Sequence, residues 1–245
     1  TPNSITLSVP SLTTLITSRD VCFNASVAQS ASFTYSGITD GANQYTLTWS
    51  PGGPANVTSY TTLPASAINV NIPAGTAANT YTGTLTIRNS TNGCSNTYSL
   101  TINVNPLPSS ITGTPTTCPG ATTTLSSASP GGTWSSSNLA IAAIDASGVV
   151  TGGTAGTATI TYTISTGCRI TTPVTVNPSP AAIGGTLNVC EGSTTSLTDA
   201  TVAGTWASSD VTFATIGSSS GVATGITAGV ITMTYTSIPV SYTHL

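Results

Sequence analysis

Between residues 156 and 164 the chain reads GTATITYTI, and the alternation in that stretch limits the fold more than any other feature. Thr157, Thr159, Thr161 and Thr163 fall on one parity, while Ala158, Ile160, Tyr162 and Ile164 fall on the other. Successive side chains of a strand point to opposite faces, so the stretch reads as a strand with an apolar inner face and a hydroxyl outer face. The pattern returns at Tyr81, Gly83, Leu85 and Ile87 against Thr82, Thr84, Thr86 and Arg88. It returns again at Ile231, Met233 and Tyr235 against Thr232, Thr234 and Thr236. Turn formers separate the runs, with PGGP at 51–54, PGG at 130–132 and SSSG at 218–221. β-Branched residues in short runs between Gly, Pro, Asn and Ser specify an all-β chain. Strands at this spacing predict a two-sheet sandwich for each unit.

A repeat sets how many units there are. Asn105, Cys118 and Trp134 recur 72 residues on as Asn177, Cys190 and Trp206. SGVVTGGTAGTATITY (147–162) then matches SGVATGITAGVITMTY (220–235) one residue further out of step. A unit of this size, with a tryptophan and two cysteines, is long enough for a small sandwich of its own, whereas solenoid repeats usually run about 20–50 residues. Pro10 precedes Cys22 by the same interval as Pro106 precedes Cys118, so residues 10–105 read as a larger relative of the units 106–177 and 178–245. Residues 1–9 read as the last strand of a preceding domain. The prolines at 106 and 108, and at 178 and 180, fix φ and extend their neighbours. Such short, stiff linkers predict a rod of tandem sandwiches.

Charge excludes several functions. Asp, Glu, Lys and Arg make up 4% of the 245 residues, against about 25% in ordinary soluble domains. The only basic side chains besides His244 are Arg19, Arg88 and Arg169, dispersed along the chain, so there is no clustered positive charge for a phosphate backbone and nucleic acid is not an expected partner. No apolar run approaches the roughly 20 residues of a membrane helix, so membrane insertion is not expected either. Catalysis lacks its groups. The one histidine, His244, stands in the terminal PVSYTHL (239–245), which resembles a translated sequencing adapter. The acids Asp20, Asp40, Asp145, Glu191, Asp199 and Asp210 show no pairing of the kind that acid–base chemistry needs. No calcium-loop or zinc-ligand spacing occurs, so neither a metal nor a cofactor is expected.

The cysteines read as a disulfide framework outside the reducing cytosol. The repeat suggests Cys22 with Cys94 and Cys118 with Cys168, leaving Cys190 unpaired by truncation. Closing the roughly 50-residue loop of the second pair would stabilise by about 4 kcal/mol in the chain-entropy model. Trp49, Trp134 and Trp206 each follow a first cysteine and read as core aromatics, with a sugar-stacking platform as the competing role. Asn24, Asn56 and Asn89 stand in N-x-S/T sequons, which mark glycosylation where the host performs it.

WSSSNLAIAAIDASGVVTGGTAGTATITY (134–162) resembles the bacterial immunoglobulin-like group 2 domain, and PAGTAANTYTGTLTIRNSTNGCS (73–95) is similar to its neighbours in large surface adhesins of gliding bacteria. The resemblance implies tandem immunoglobulin-like sandwiches in which a core tryptophan packs on the disulfide. It also implies a non-catalytic, extracellular structural or adhesive role in a cell-surface stalk or fibre. The implied partners are the neighbouring immunoglobulin-like domains of the chain, further copies of the chain itself, or surface polysaccharide. A carbohydrate-binding accessory module is one alternative, and it requires exposed aromatics such as Tyr45, Tyr60 and Tyr81. Polymerisation by donation of the strand at residues 4–9 is the other.

Overall fold

A computed structural model describes residues 9–179, 181–201 and 204–237. The strand at residues 4–9, Pro180 and the tail 239–245 therefore fall wholly or largely outside the described residues. Every regular element described is a strand. The chain divides into two compact units.

The first unit gathers the chain up to Ser109 together with Ser129–Gly132 and Thr163–Ile170. Its strands are β1 (Leu12–Leu15), β2 (Ser18–Cys22), β3 (Gln29–Ile38), β4 (Gln44–Trp49), β5 (Val57–Thr62), β6 (Ala67–Ile72), β7 (Asn79–Arg88) and β8 (Ser95–Asn105). They form one sheet in the order β1-β3-β6 and another in the order β2-β8-β7-β4-β5. The inward parity supplies the core: Phe33, Leu47, Ile68, Leu85, Ile87, Leu100 and Ile102 are all at most 2% exposed. Each such aliphatic or aromatic side chain contributes about 1.5–3 kcal/mol on burial. The outward parity of β7 is Thr, as the alternation predicts.

The second unit carries two further sheet pairs, except for Thr163, Arg169 and Ile170, which belong to the first. In one, β9 (Ile111–Gly113), β10 (Thr116–Thr117), β11 (Thr122–Ser127), β12 (Thr133–Ser136), β13 (Ala142–Ile144), β14 (Val149–Gly152), β15 (Gly156–Thr163) and β16 (Arg169–Val176) form the orders β10-β16-β15-β12 and β13-β14-β11-β9. In the other, β17 (Gly184–Gly185), β18 (Thr194–Thr198), β19 (Gly204–Ser208), β20 (Ala214–Ile216), β21 (Val222–Gly225) and β22 (Met233–Ser237) form β17-β18-β21-β20 and β19-β22. The sequence repeat is a repeat of register. Thr122 faces Thr151 across β11 and β14, and Thr194 faces Thr224 across β18 and β21. Separate clusters lie under the two pairs, one around Leu125, Val150, Ile160 and Val174 and one around Leu197, Trp206 and Tyr235.

In the first two repeats the second strand runs parallel to the last. Val21 of β2 pairs with Val104 of β8, and Thr117 of β10 pairs with Val176 of β16. That geometry corrects the expected cysteine pairing. Cys22 lies beside Asn105 at the far end of β8, while Cys94 precedes the first residue of β8. At about 3.3 Å per residue the two cysteines stand roughly 35 Å apart. Cys118 follows Thr117 and so lies beyond the Val176 end of β16, while Cys168 precedes its start, a separation of about 30 Å. A disulfide spans Cα atoms no more than about 7 Å apart. The bond that forms is Cys22–Cys168, with Cα atoms 5.5 Å apart and a sequence separation of 146. Cys94, Cys118 and Cys190 are free.

Sheet edges lack lysine, the common guard against edge pairing. Other guards take its place. The edge strand β5 leaves the ladder through a bulge between the pairs Tyr45–Thr61 and Leu47–Val57, and bulges twist an edge away from further pairing. In the second repeat the edges β9, β10, β12 and β13 are two to four residues long.

Trp49 pairs with Gly83 across β4 and β7. A Cβ at residue 83 would stand 2.6 Å from the indole ring, so the sheet admits the tryptophan only because a glycine faces it. Gly83→Ala is expected to lower the unfolding free energy by about 1–3 kcal/mol, the usual cost of overpacking, with an unchanged β-type circular dichroism spectrum. Chemical denaturation monitored by tryptophan fluorescence measures it.

Candidate functional site

The five-stranded sheet of the first unit presents an outer face built on β4, β7 and β8. Cross-strand pairing sets Thr48, Thr84 and Ser99 in one row and Thr46, Thr86 and Thr97 in the next. Thr82 and Thr101 continue the array toward Ser18 of β2. Neighbouring strands lie about 4.8 Å apart, so hydroxyls repeat across four strands without an intervening charge. The array ends in polar groups that hold one another: Thr80 Oγ1 donates to Asn103 Oδ1 at 3.0 Å, and Asn103 Nδ2 donates to Asp20 Oδ1 at 2.8 Å. Such a surface exchanges hydrogen bonds and has little electrostatic reach.

Aromatic residues do not make it a sugar platform. Tyr81 has the inward parity of Leu85 and is 3% exposed, its hydroxyl donating to Ala77 O at 2.9 Å. Tyr45 is half-buried against the core, so of the three tyrosines Tyr60 alone is exposed. Its ring carries the Arg88 guanidinium 3.6 Å from the centroid, and Arg88 also donates to Gln44 Oε1 at 2.7 Å. Trp49 and Trp206 are buried, and Trp134 is half-buried. They pack on rings: Trp49 on Phe33 at 6.1 Å, Trp134 on Tyr162 at 4.5 Å and Trp206 on Tyr235 at 4.8 Å between centroids. A phenylalanine or tyrosine takes the place of the disulfide that the sequence suggests beside each tryptophan.

Asp145, Asp210 and Asp40 serve turns. Asp145 Oδ1 accepts from Ser147 N at 2.9 Å, Ser147 Oγ at 2.7 Å and Val149 N at 3.0 Å. Asp210 Oδ1 accepts from Thr212 N at 2.9 Å and Thr212 Oγ1 at 2.7 Å. The hydroxyl bonds foremost, with the backbone N–H groups behind them, hold both carboxyls below the usual carboxylate range. Asp40 sits at a turn with φ of 51°. Among the described residues, no three His, Cys, Asp or Glu side chains gather into a group able to hold a metal ion.

The sequon asparagines also shape loops. Asn24 Oδ1 accepts from Ser26 N and Val27 N at 3.0 and 2.9 Å, and Asn56 Oδ1 accepts from Trp49 N at 2.6 Å. Asn89 Nδ2 donates to Asp40 O at 2.8 Å.

Cysteines occupy two recurring places. Cys118 O accepts from Ala121 N, and Gly120 N donates to Gly152 O; Cys190 O accepts from Ser193 N, and Gly192 N donates to Gly225 O. Cys94 and Cys168 close hairpin tips, where Asn89 N donates to Cys94 O and Ile164 N to Cys168 O, both at 3.0 Å. Cys118 is buried and Cys190 exposed. A groove beside the disulfide is lined by Phe23, Asn24, Leu107 and Arg169.

Residues 110–168 match the family profile of the bacterial Ig-like domain (group 2). No curated protein matches the chain. Similar solved structures include the C-terminal 282-residue fragment of intimin in complex with the translocated intimin receptor intimin-binding domain, at 20% identity over 73% of this chain and 67% of that one, with a TM-score of 0.42. Domains 1–6 of the surface layer protein SbsC are similar at 16% identity over 96% of this chain, which spans 39% of theirs, with a TM-score of 0.29. The fibronectin(III)-like modules of Clostridium thermocellum CbhA are similar at 8% identity, over 69% of this chain and 95% of that one, with a TM-score of 0.34.

Because the ionised forms of Asp145 and Asp210 are the ones bonded in the fold, their contribution is present above the usual carboxylate range and is lost as pH falls through the lowered pKa. Carboxyl resonances followed by NMR should show both groups titrating at lower pH than a free aspartate. Asp145→Asn should remove that share of the acid dependence.

Proposed function

We propose that this chain is a non-catalytic structural or adhesive element of the cell exterior, a run of tandem Ig-like sandwiches in a surface stalk or fibre. The observation that carries the reading is the outer face of β4, β7 and β8, a continuous hydroxyl array whose one charge, Arg88, stands at its border and is engaged by Gln44 and the Tyr60 ring. A surface of this kind suits repeated weak hydrogen bonding to polysaccharide or to like faces, where affinity accrues through many copies. The Cys22–Cys168 bond supports an oxidising location. Boundaries after Asn105 and Asn177 fit the three separate hydrophobic clusters, giving repeats of 10–105, 106–177 and 178–245. The resemblance of residues 110–168 to the bacterial Ig-like domain supports the same assignment. The accessory-module alternative is weakened by the burial of Tyr81.

Immunogold labelling of intact producing cells is the direct test. Label on unpermeabilised cells is the expected result, and label appearing only after permeabilisation rejects an exterior role. Beads coated with the chain should in addition attach to polysaccharide or to one another. Replacing Thr48, Thr84 and Ser99 together by lysine should reduce that attachment several-fold without loss of the β-type circular dichroism spectrum.

A further inference from the structure

Each repeat with a complete complement of cysteines carries one at the end of an early strand and one at the tip of its last hairpin. Cys22 and Cys118 hold the first place: Cys22 pairs with Asn105 at the end of β8, and Cys118 follows Thr117, which pairs with Val176 at the end of β16. Cys190 shares the turn geometry of Cys118: the cysteine carbonyl accepts from the N–H three positions on, and the glycine two positions on donates to Gly152 O or Gly225 O. Cys94 and Cys168 hold the second place. Each follows a glycine in the left-handed region, Gly93 at φ 77° and Gly167 at φ 83°, and in each case that glycine's N–H bonds back to the first residue of the turn. Within one repeat the two places stand roughly 30 Å or more apart, by the strand rise already used. The bond present joins the strand-end cysteine of the first repeat to the hairpin-tip cysteine of the second.

We propose that this bond is one rung of a disulfide ladder, in which the strand-end cysteine of every repeat bonds the hairpin-tip cysteine of the repeat that follows. The free cysteines are the unmatched halves of neighbouring rungs. Cys190 accepts a hairpin-tip cysteine from a later repeat, Cys94 accepts a strand-end cysteine from an earlier one, and Cys118 faces the tip position of the third repeat. The repeat spacing places the tip cysteine of the third repeat at position 241, where the chain has Ser241, outside the described residues. Cys118 therefore meets no thiol at that position, and the partner of Cys190 or Cys94 is another repeat of this kind, bearing a cysteine at the complementary place. Each rung forms when two thiols lose two protons and two electrons to an oxidant such as a small-molecule disulfide, which is reduced to two thiols. The ladder also limits extension. Force applied to the ends of the chain passes through the bond, and the 146-residue span it closes cannot lengthen while it is intact. The inference draws on the exterior reading only for its oxidising surroundings.

Peptide mapping of the oxidised, unreduced chain tests the register, and a Cys22–Cys168 linked peptide is expected. Cys22–Cys94 or Cys118–Cys168 peptides would overturn it. Pulling single molecules by their termini should give a total contour gain about 50 nm shorter in oxidised than in reduced protein, from roughly 3.6 Å per residue of the closed span. Equal gains reject the load limit. Cys22→Ser should behave as the reduced protein does, and reduction of the native chain makes the same comparison if that variant misfolds. For the free cysteines, concentrated chain in a glutathione redox buffer should form covalent dimers linked Cys94 to Cys190. Cys94–Cys94 or Cys190–Cys190 links, or no covalent dimer, overturn the ladder beyond the first rung. None of these results bears on where the cell places the chain, so failure here is separable from failure of the surface assignment.

Discussion

Parallel pairing of an early strand with the last strand decides where everything else in a repeat can go. Once β2 lies beside β8, and β10 beside β16, the chain enters the sheet in the direction in which it leaves. The early strand must then end where the last strand ends, and the hairpin leading into the last strand turns at the opposite end of the same sheet. Whatever residue closes that hairpin is held a full strand length from whatever residue closes the early strand. Cysteines at those two places cannot meet within a repeat. They are available only to something beyond it.

The near absence of charge becomes intelligible from the same sheets. A soluble β-protein must keep its sheet edges from pairing with strangers, and lysine is the usual means. Here the means is geometric: two- to four-residue edges in the second repeat and a bulged β5 in the first. With edges guarded by shape, the outer faces are free to carry threonine. Threonine keeps strand propensity high and adds cross-strand pairs worth about 0.2–1 kcal/mol each. Rows such as Thr46, Thr86 and Thr97 thus stabilise the sheet and solvate it at once.

Parity made most of the fold legible. Ala158, Ile160 and Tyr162 are buried and Thr157 and Thr159 are exposed, as the alternation requires. The same rule places Tyr81 inside with Gly83, Leu85 and Ile87, which is why it is unavailable as a sugar platform. Tyr45 shares the inward parity of Leu47 and Trp49 for the same reason. Pairing of the cysteines was not legible. A repeat reveals which residues are equivalent, but equivalence says nothing about which end of a sheet each residue occupies. That depends on the direction of the first strand, and short strands such as Thr116–Thr117 leave no periodic trace from which a direction can be read. The turn carboxylates Asp145 and Asp210 had a signal, since Asp followed two residues later by Ser or Thr is an Asx-turn sequence.

A bond between repeats acts on stability differently from a bond within one. A link closing the 50 or so residues from Cys118 to Cys168 would restrict the unfolded ensemble of that repeat alone, by about 4 kcal/mol in the chain-entropy model. The observed link closes 146 residues, for which the same model gives about 5 kcal/mol. That larger value applies only when both repeats unfold together. If one unfolds while its neighbour stays folded, part of the closed loop is still ordered, and less entropy remains to be restricted. The bond therefore favours partial unfolding over complete unfolding, and it ties the loosened repeat to one still intact. In a chain under load, the residues inside the closed span are not drawn out while the bond is intact, so a loosened repeat can refold without having been extended.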